Sequence, residues 1–130
     1  MVRGALLSTL LATGVFAGSL SSSAQPFEID PHHALRMSVG HLFDRAEARE
    51  RIGYLLQYWA DRFGVRSEWH GDRVFLSGRL WGLDIRAVFT IQDHLVLAHA
   101  ADPGTVVASR ARDYVSRKLR KYLHPNYEEP

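Results

Sequence analysis

Seven histidines and a basic run near the C-terminus are the side chains in this sequence best equipped for chemistry. His70, His94 and His99 lie in or beside strand-like runs. They would hold a metal or move a proton only if the fold brought them together against an acidic residue. His32, His33 and His41 form a second group, but two adjacent histidines and a third at position 41 lack the i, i+4 spacing with which a helix grips a metal ion. They read as incidental members of a polar linker. Cysteine is absent, which removes thiolate nucleophiles, disulfides and cysteine-type zinc sites. There is no Gly-x-Ser-x-Gly elbow and no glycine-rich phosphate loop. No catalytic, cofactor-binding or metal-binding residue is assigned, and the chain is not expected to be an enzyme.

Two features could make contacts instead. Arg110, Arg112, Arg117, Lys118, Arg120 and Lys121 crowd one side of a helical run and gather toward its C-terminus, where cations oppose the helix dipole favourably. The bland reading is a solvated face. The functional one is contact with an anionic surface such as phospholipid headgroups, an acidic partner or nucleic acid. Tyr114 and Tyr122 fall on the apolar side of the same run, away from the cations, so stacking on bases is not offered and nucleic acid is not the expected partner. The second feature is Leu80-Trp81 between Gly78 and Gly82. An apolar pair at a turn either tucks over the core edge or, left exposed, acts as a wedge for a lipid or polymer surface.

These residues must be positioned by a small scaffold. A chain of 130 residues carrying a formal charge of +2 is sized for one core, and its charge is too low for general nucleic-acid affinity. Residues 1–26 stand apart: Arg3 is their only charge, an apolar run from Ala5 to Gly18 follows, and small residues lead to Ala24. That is the layout of a secretory signal, in which case the domain is exported; a start codon placed upstream of a cytoplasmic domain gives the same picture. The apolar run is short for a membrane span, and none is expected in the domain that follows. That domain covers 27–124, with a flexible tail over 125–130.

Its organising stretch begins at Asp44. Ala48, Ile52, Leu55, Leu56, Trp59 and Phe63 recur at spacings of three and four and so share one stripe of a helix. Arg45, Arg49, Glu50, Gln57 and Asp61 fall on the other side. Asp44 suits the N-cap, Glu47 can reach back to complete a capping box, and Gly64 suits the left-handed stop. Before this helix, Phe27–Asp30 alternates like a short edge strand ended by Pro31. After it, four runs form an antiparallel meander: Arg66–His70, Arg73–Ser77, Leu83–Ile91 and Leu95–Ala100. Gly71-Asp72 makes the first hairpin turn, and Gly78–Gly82 the second connection. In the third run Leu83, Ile85, Ala87, Phe89 and Ile91 face one way and Asp84, Arg86 and Thr90 the other, the mark of a sheet with one wet face. Asp102-Pro103-Gly104 breaks the sheet, and a second helix runs from Thr105 to Leu123 with Val107, Ala111, Tyr114, Val115, Leu119, Tyr122 and Leu123 on its apolar side. The expected architecture is an α+β two-layer sandwich, ordered strand, helix, four-stranded antiparallel meander, helix.

The whole pattern resembles the small proteins of the polyhydroxyalkanoic acid system family. The similarity runs through Pro31-His32-His33-Ala34-Leu35, Ala46-Glu47-Ala48-Arg49, Arg62-Phe63-Gly64, then Trp69, Gly71, Asp72, Phe75, Gly78 and Gly82, and the closing leucine-rich basic segment. The resemblance implies a non-catalytic accessory protein of polyhydroxyalkanoate storage in bacteria, without family catalytic residues. It places the chain at the cytoplasmic granule surface, against the granule or its protein or lipid coat. On that expectation Arg110, Arg117, Lys118, Arg120 and Lys121 make the contact, with Leu80 and Trp81 if exposed. Two alternatives stand beside it: an exported protein of another role, and a domain that holds a small hydrophobic ligand, an acyl chain, between sheet and helices.

Overall fold

A computed structural model describes residues 25–80, 82–102 and 104–127. The leader-like stretch, apart from its last two residues, and Trp81 of the second connection lie outside the described residues. The elements are β1 (Ala34–Gly40), α1 (Arg45–Phe63), β2 (Arg66–His70), β3 (Arg73–Leu80), β4 (Leu83–Gln92), β5 (Leu95–Ala101) and α2 (Thr105–Tyr122). The strands form one antiparallel sheet in the order β1-β5-β4-β3-β2. Both helices lie on the same side, giving two layers.

α1 buries the expected stripe, with Ala48, Ile52, Leu55, Leu56 and Trp59 all in the core. Each fully buried Leu or Ile is worth about 1.5–3 kcal/mol relative to exposure. Asp44 Oδ1 accepts from the Glu47 amide at 2.8 Å, and Gly64 closes the helix at φ 71°. The second half of the capping box does not form, because the Glu47 carboxylate is taken by Arg51 at 3.1 Å one turn on.

Two strand boundaries differ from the sequence expectation. Phe27–Asp30 is not a strand: Asp30 caps a 3₁₀ turn over Pro31–His33, and the first strand starts at Ala34, paired with β5 along its whole length. Phe27 instead packs edge-on against Phe75, 5.4 Å between ring centres, on the sheet face opposite the helices. Gly78–Leu80 is not a loop either. All three residues pair with β4, Leu80 opposite Leu83, so the connection shrinks to two residues with Gly82 at φ 79°. Gly78 serves a close approach rather than a turn, since a Cβ there would stand 3.2 Å from the Val65 backbone.

The helix-facing side carries the core, in which Phe89, Ile52, Leu55, Ile91, Leu119, Val74 and Val96 are fully buried. The opposite side is basic. Register places Arg66 opposite Ser77, Arg86 also opposite Ser77, Arg36 opposite His99, and Arg79 opposite Asp84. Phe75 and Val88, directly opposed there, are nonetheless buried.

Long-range polar contacts fix the N-terminal part of α1 and the approach to it. Arg51 lies over the Phe43 ring and donates to the carbonyls of Tyr122, His124 and Tyr127, satisfying acceptors that the end of α2 leaves open. Tyr127 also packs on Tyr122, 4.5 Å between ring centres, so the chain is held three residues into the stretch expected as a tail. In the approach to α1, His41 is buried against the β4–β5 turn rather than incidental to a linker. Its Nδ1 accepts from the Phe43 amide at 3.1 Å, which leaves Nε2 to carry the proton and donate to the Gln92 carbonyl at 3.2 Å. His94 stacks on the ring, and its backbone accepts from the His41 amide and donates to the Phe43 carbonyl, both at 3.0 Å.

Burial lowers the His41 pKa below 6.5, the nearby His94 adding to the effect and Asp93 and the two backbone contacts opposing it. The unfolded chain therefore binds the proton more readily, and stability is full above pH 6.5, then falls until the lowered folded value is passed. Urea midpoints across this range should drop on acidification for the wild type, with a distinctly shallower drop for His41→Gln. Parallel profiles for the two proteins would mean that His41 does not contribute.

Candidate functional site

Between the sheet and the first half of α2 lies a cavity of about 470 Å³. Its floor is the helix-facing side of β3 and β4, including Leu76, Leu80, Leu83 and Ile85; Val107, Ala111, Tyr114 and Val115 of α2 form the roof. Trp59 and Phe89 close the inner end, next to the solid core.

The reason for the gap is in the residue sizes. Ala87 and Ala100 are cross-strand partners, Ala98 pairs with Phe89, and all three alanines line the cavity with Ala111 above them. Side chains this short cannot span the separation of about 10 Å between packed layers. α2 makes its closest packing with β1 and α1, through Leu119, Tyr122 and Leu123 at its far end, so its first half stands over β3 and β4 without filling the space beneath.

The lining is apolar because its polar atoms satisfy one another. Trp59 Nε1 donates to the Tyr114 hydroxyl at 3.2 Å, and the Met37 sulfur accepts from Ser116, which lies outside the lining, at 3.4 Å. The cavity opens to solvent beside Ala101 and Arg110, both exposed. Arg110 is the one charged residue on its boundary among the described residues.

The residues singled out from sequence are distributed differently. Arg110 and Leu80 join this cavity, Leu80 as a strand residue in its wall rather than a wedge. Arg117, Arg120 and Lys121 are exposed, while Lys118 is half-buried with its ammonium 4.5 Å from the centre of the Tyr58 ring. None of these cations forms an ion pair with a described carboxylate; the ion pairs among the described residues are Arg45–Asp72, Arg51–Glu47, His70–Glu68 and Arg79–Asp84. The tyrosines expected only as core also carry the cations, with Arg117 over Tyr114 and Lys121 beside Tyr122.

The three strand histidines do not converge. His70 bonds Glu68 at 2.6 Å at one end of β2, His94 sits in the β4–β5 turn at φ 66°, and His99 is on the outer face opposite Val88. No group of three or more histidine, aspartate or glutamate side chains is arranged for a metal ion among the described residues. No described helix is long and apolar enough to cross a membrane. No family model matches the chain, and no curated protein matches it.

The sequence places Ala87 and Ala111 on apolar faces, but their pattern does not by itself show that they and Ala98 and Ala100 leave a gap. The available signal was the coincidence of small residues at inward-facing positions of two strands and one helix. Ala100→Leu should stabilise the domain by about 0.5–2 kcal/mol, as cavity-filling changes do. Thermal unfolding measures this, and a loss of about 1–3 kcal/mol would instead indicate an already filled core.

Proposed function

We propose that this domain binds an elongated apolar small molecule, of the acyl-chain kind, between its sheet and the first half of α2. The observation that carries the reading is the cavity itself. Its 470 Å³ falls within the range of about 300–1,000 Å³ typical of small-molecule sites, and its walls are almost wholly aliphatic and aromatic. Protein interiors otherwise leave few voids larger than a water molecule. At roughly 24 cal/mol per Å³, a sealed void of this size would cost on the order of 10 kcal/mol, comparable to the whole stability of a small domain. An opening to solvent and a removable guest relieve that cost. At about 30 Å³ per water-sized unit, the space suits a chain of roughly ten to fifteen carbons.

Titration with a neutral naphthylamine dye tests the reading. The wild type should enhance the dye's emission with a Kd on the order of 1–100 µM, a saturated C12 chain should displace it, and Ala100→Leu should weaken binding about tenfold or more while remaining folded. A folded wild type that leaves the dye unchanged would refute ligand binding.

A second reading draws on the cations of α2, exposed or half-buried and without carboxylate partners among the described residues. Arg110, Arg117, Lys118, Arg120 and Lys121 would meet an anionic surface, as the resemblance to the polyhydroxyalkanoic acid system family implies for a granule coat. Co-sedimentation with purified granules should then be lost when Arg117, Lys118, Arg120 and Lys121 are made neutral. Equal partition of the two proteins would remove this role.

A further inference from the structure

The cavity's polar accounting says where a ligand's polar end must go. Inside, the polar side-chain atoms of the lining are already engaged with each other, Trp59 Nε1 donating to the Tyr114 hydroxyl. A carboxyl or hydroxyl pushed inward would lose its water and have to compete for the Trp59–Tyr114 pair, which costs more than the apolar contacts of one or two methylenes return. The polar end is therefore held at the mouth.

Arg110 is the charged residue at that mouth among the described residues, and it forms no ion pair with a described carboxylate. The next acid along α2, Asp113, lies three positions on, within reach on a helix surface, yet the two form no ion pair. Val107 and Tyr114, at i−3 and i+4 from Arg110, both line the cavity. Its aliphatic stem thus rises from the rim of the roof while the guanidinium faces water, the disposition of a long cationic side chain at an apolar edge. The first turn of α2 carries no acidic residue and no side-chain cap, so the dipole adds positive potential at the same end.

We propose that the ligand is a single-chain carboxylic acid, its chain in the cavity and its carboxylate paired with the Arg110 guanidinium at the mouth. This rests on the ligand-binding reading of the cavity and narrows it to one headgroup class. A planar guanidinium offers two parallel N–H donors to a carboxylate, geometry that neither an alcohol nor an ester can match. Because Arg110 is exposed, the headgroup sets preference among chains of one length, and the apolar walls supply most of the affinity.

The test compares dodecanoate with dodecan-1-ol as displacers of the neutral dye, near pH 8, in the wild type, Arg110→Gln and Arg110→Lys. The wild type should prefer the acid by about three- to tenfold. Arg110→Gln should abolish that preference, weakening binding of the acid more than of the alcohol, and Arg110→Lys should retain part of it. Equal displacement by acid and alcohol in the wild type would overturn the headgroup assignment while leaving the cavity a ligand site. An acid preference that survives Arg110→Gln would overturn the role of Arg110. Displacement by neither compound would sink both the headgroup and the cavity reading.

Discussion

The structure hangs on what Trp59 does at the meeting of its three parts. It projects from α1, meets Phe89 of β4 edge to face with ring centres 6.1 Å apart, and lies against Tyr114 of α2 with its indole N–H bonded to the tyrosine oxygen. One side chain therefore sets the spacing between the sheet and each helix. A large rigid aromatic at this point keeps α2 away from the alanine-lined part of the sheet. On one side of Trp59 the layers are filled by Leu55, Leu119 and Ile91; on the other they are not. The same packing that completes the core thus bounds the open space.

The peripheral contacts serve this arrangement. Arg51 ties the end of α2 to α1, and His41 ties the approach to α1 to the β4–β5 turn. Among the described residues, α2 is fastened at its far end by Leu119, Tyr122, Leu123 and Arg51, while Tyr114 and Val115 are partly buried where the helix borders the cavity.

The elements were legible because side-chain period alone identifies them. The stripe from Ala48 to Phe63 and the alternation from Leu83 to Ile91 each commit a face without reference to the rest of the chain. Asp44 and Gly64 mark the ends of α1 for equally local reasons. What escaped were features made by distant residues. The partner of His41 is the carbonyl of Gln92, and nothing near position 41 announces it. β1 begins at Ala34 because it pairs with β5, some sixty residues on, whereas the local pattern favoured Phe27–Asp30. Gly78 read as a turn residue, but its use is to let Val65 pass close by. The cavity was hardest to see: an inward alanine means tight contact when the opposing layer is near and open space when it is held off, and only Trp59 decides between them.

The outer side of the sheet bears on how the chain finds this structure. Arg36, Arg66, Arg73, Arg79 and Arg86 all sit on that side by register. Shifting a strand by a single position exchanges its two faces. A slipped β3 or β4 would drive guanidinium groups beneath the helices and turn valines, leucines and phenylalanines toward water. Burying a cation without a partner costs several kcal/mol, more than most single misplaced apolar groups lose. The arginines that contribute nothing to the interior therefore act against misaligned ladders during folding, and the wet face guards the alignment of the dry one.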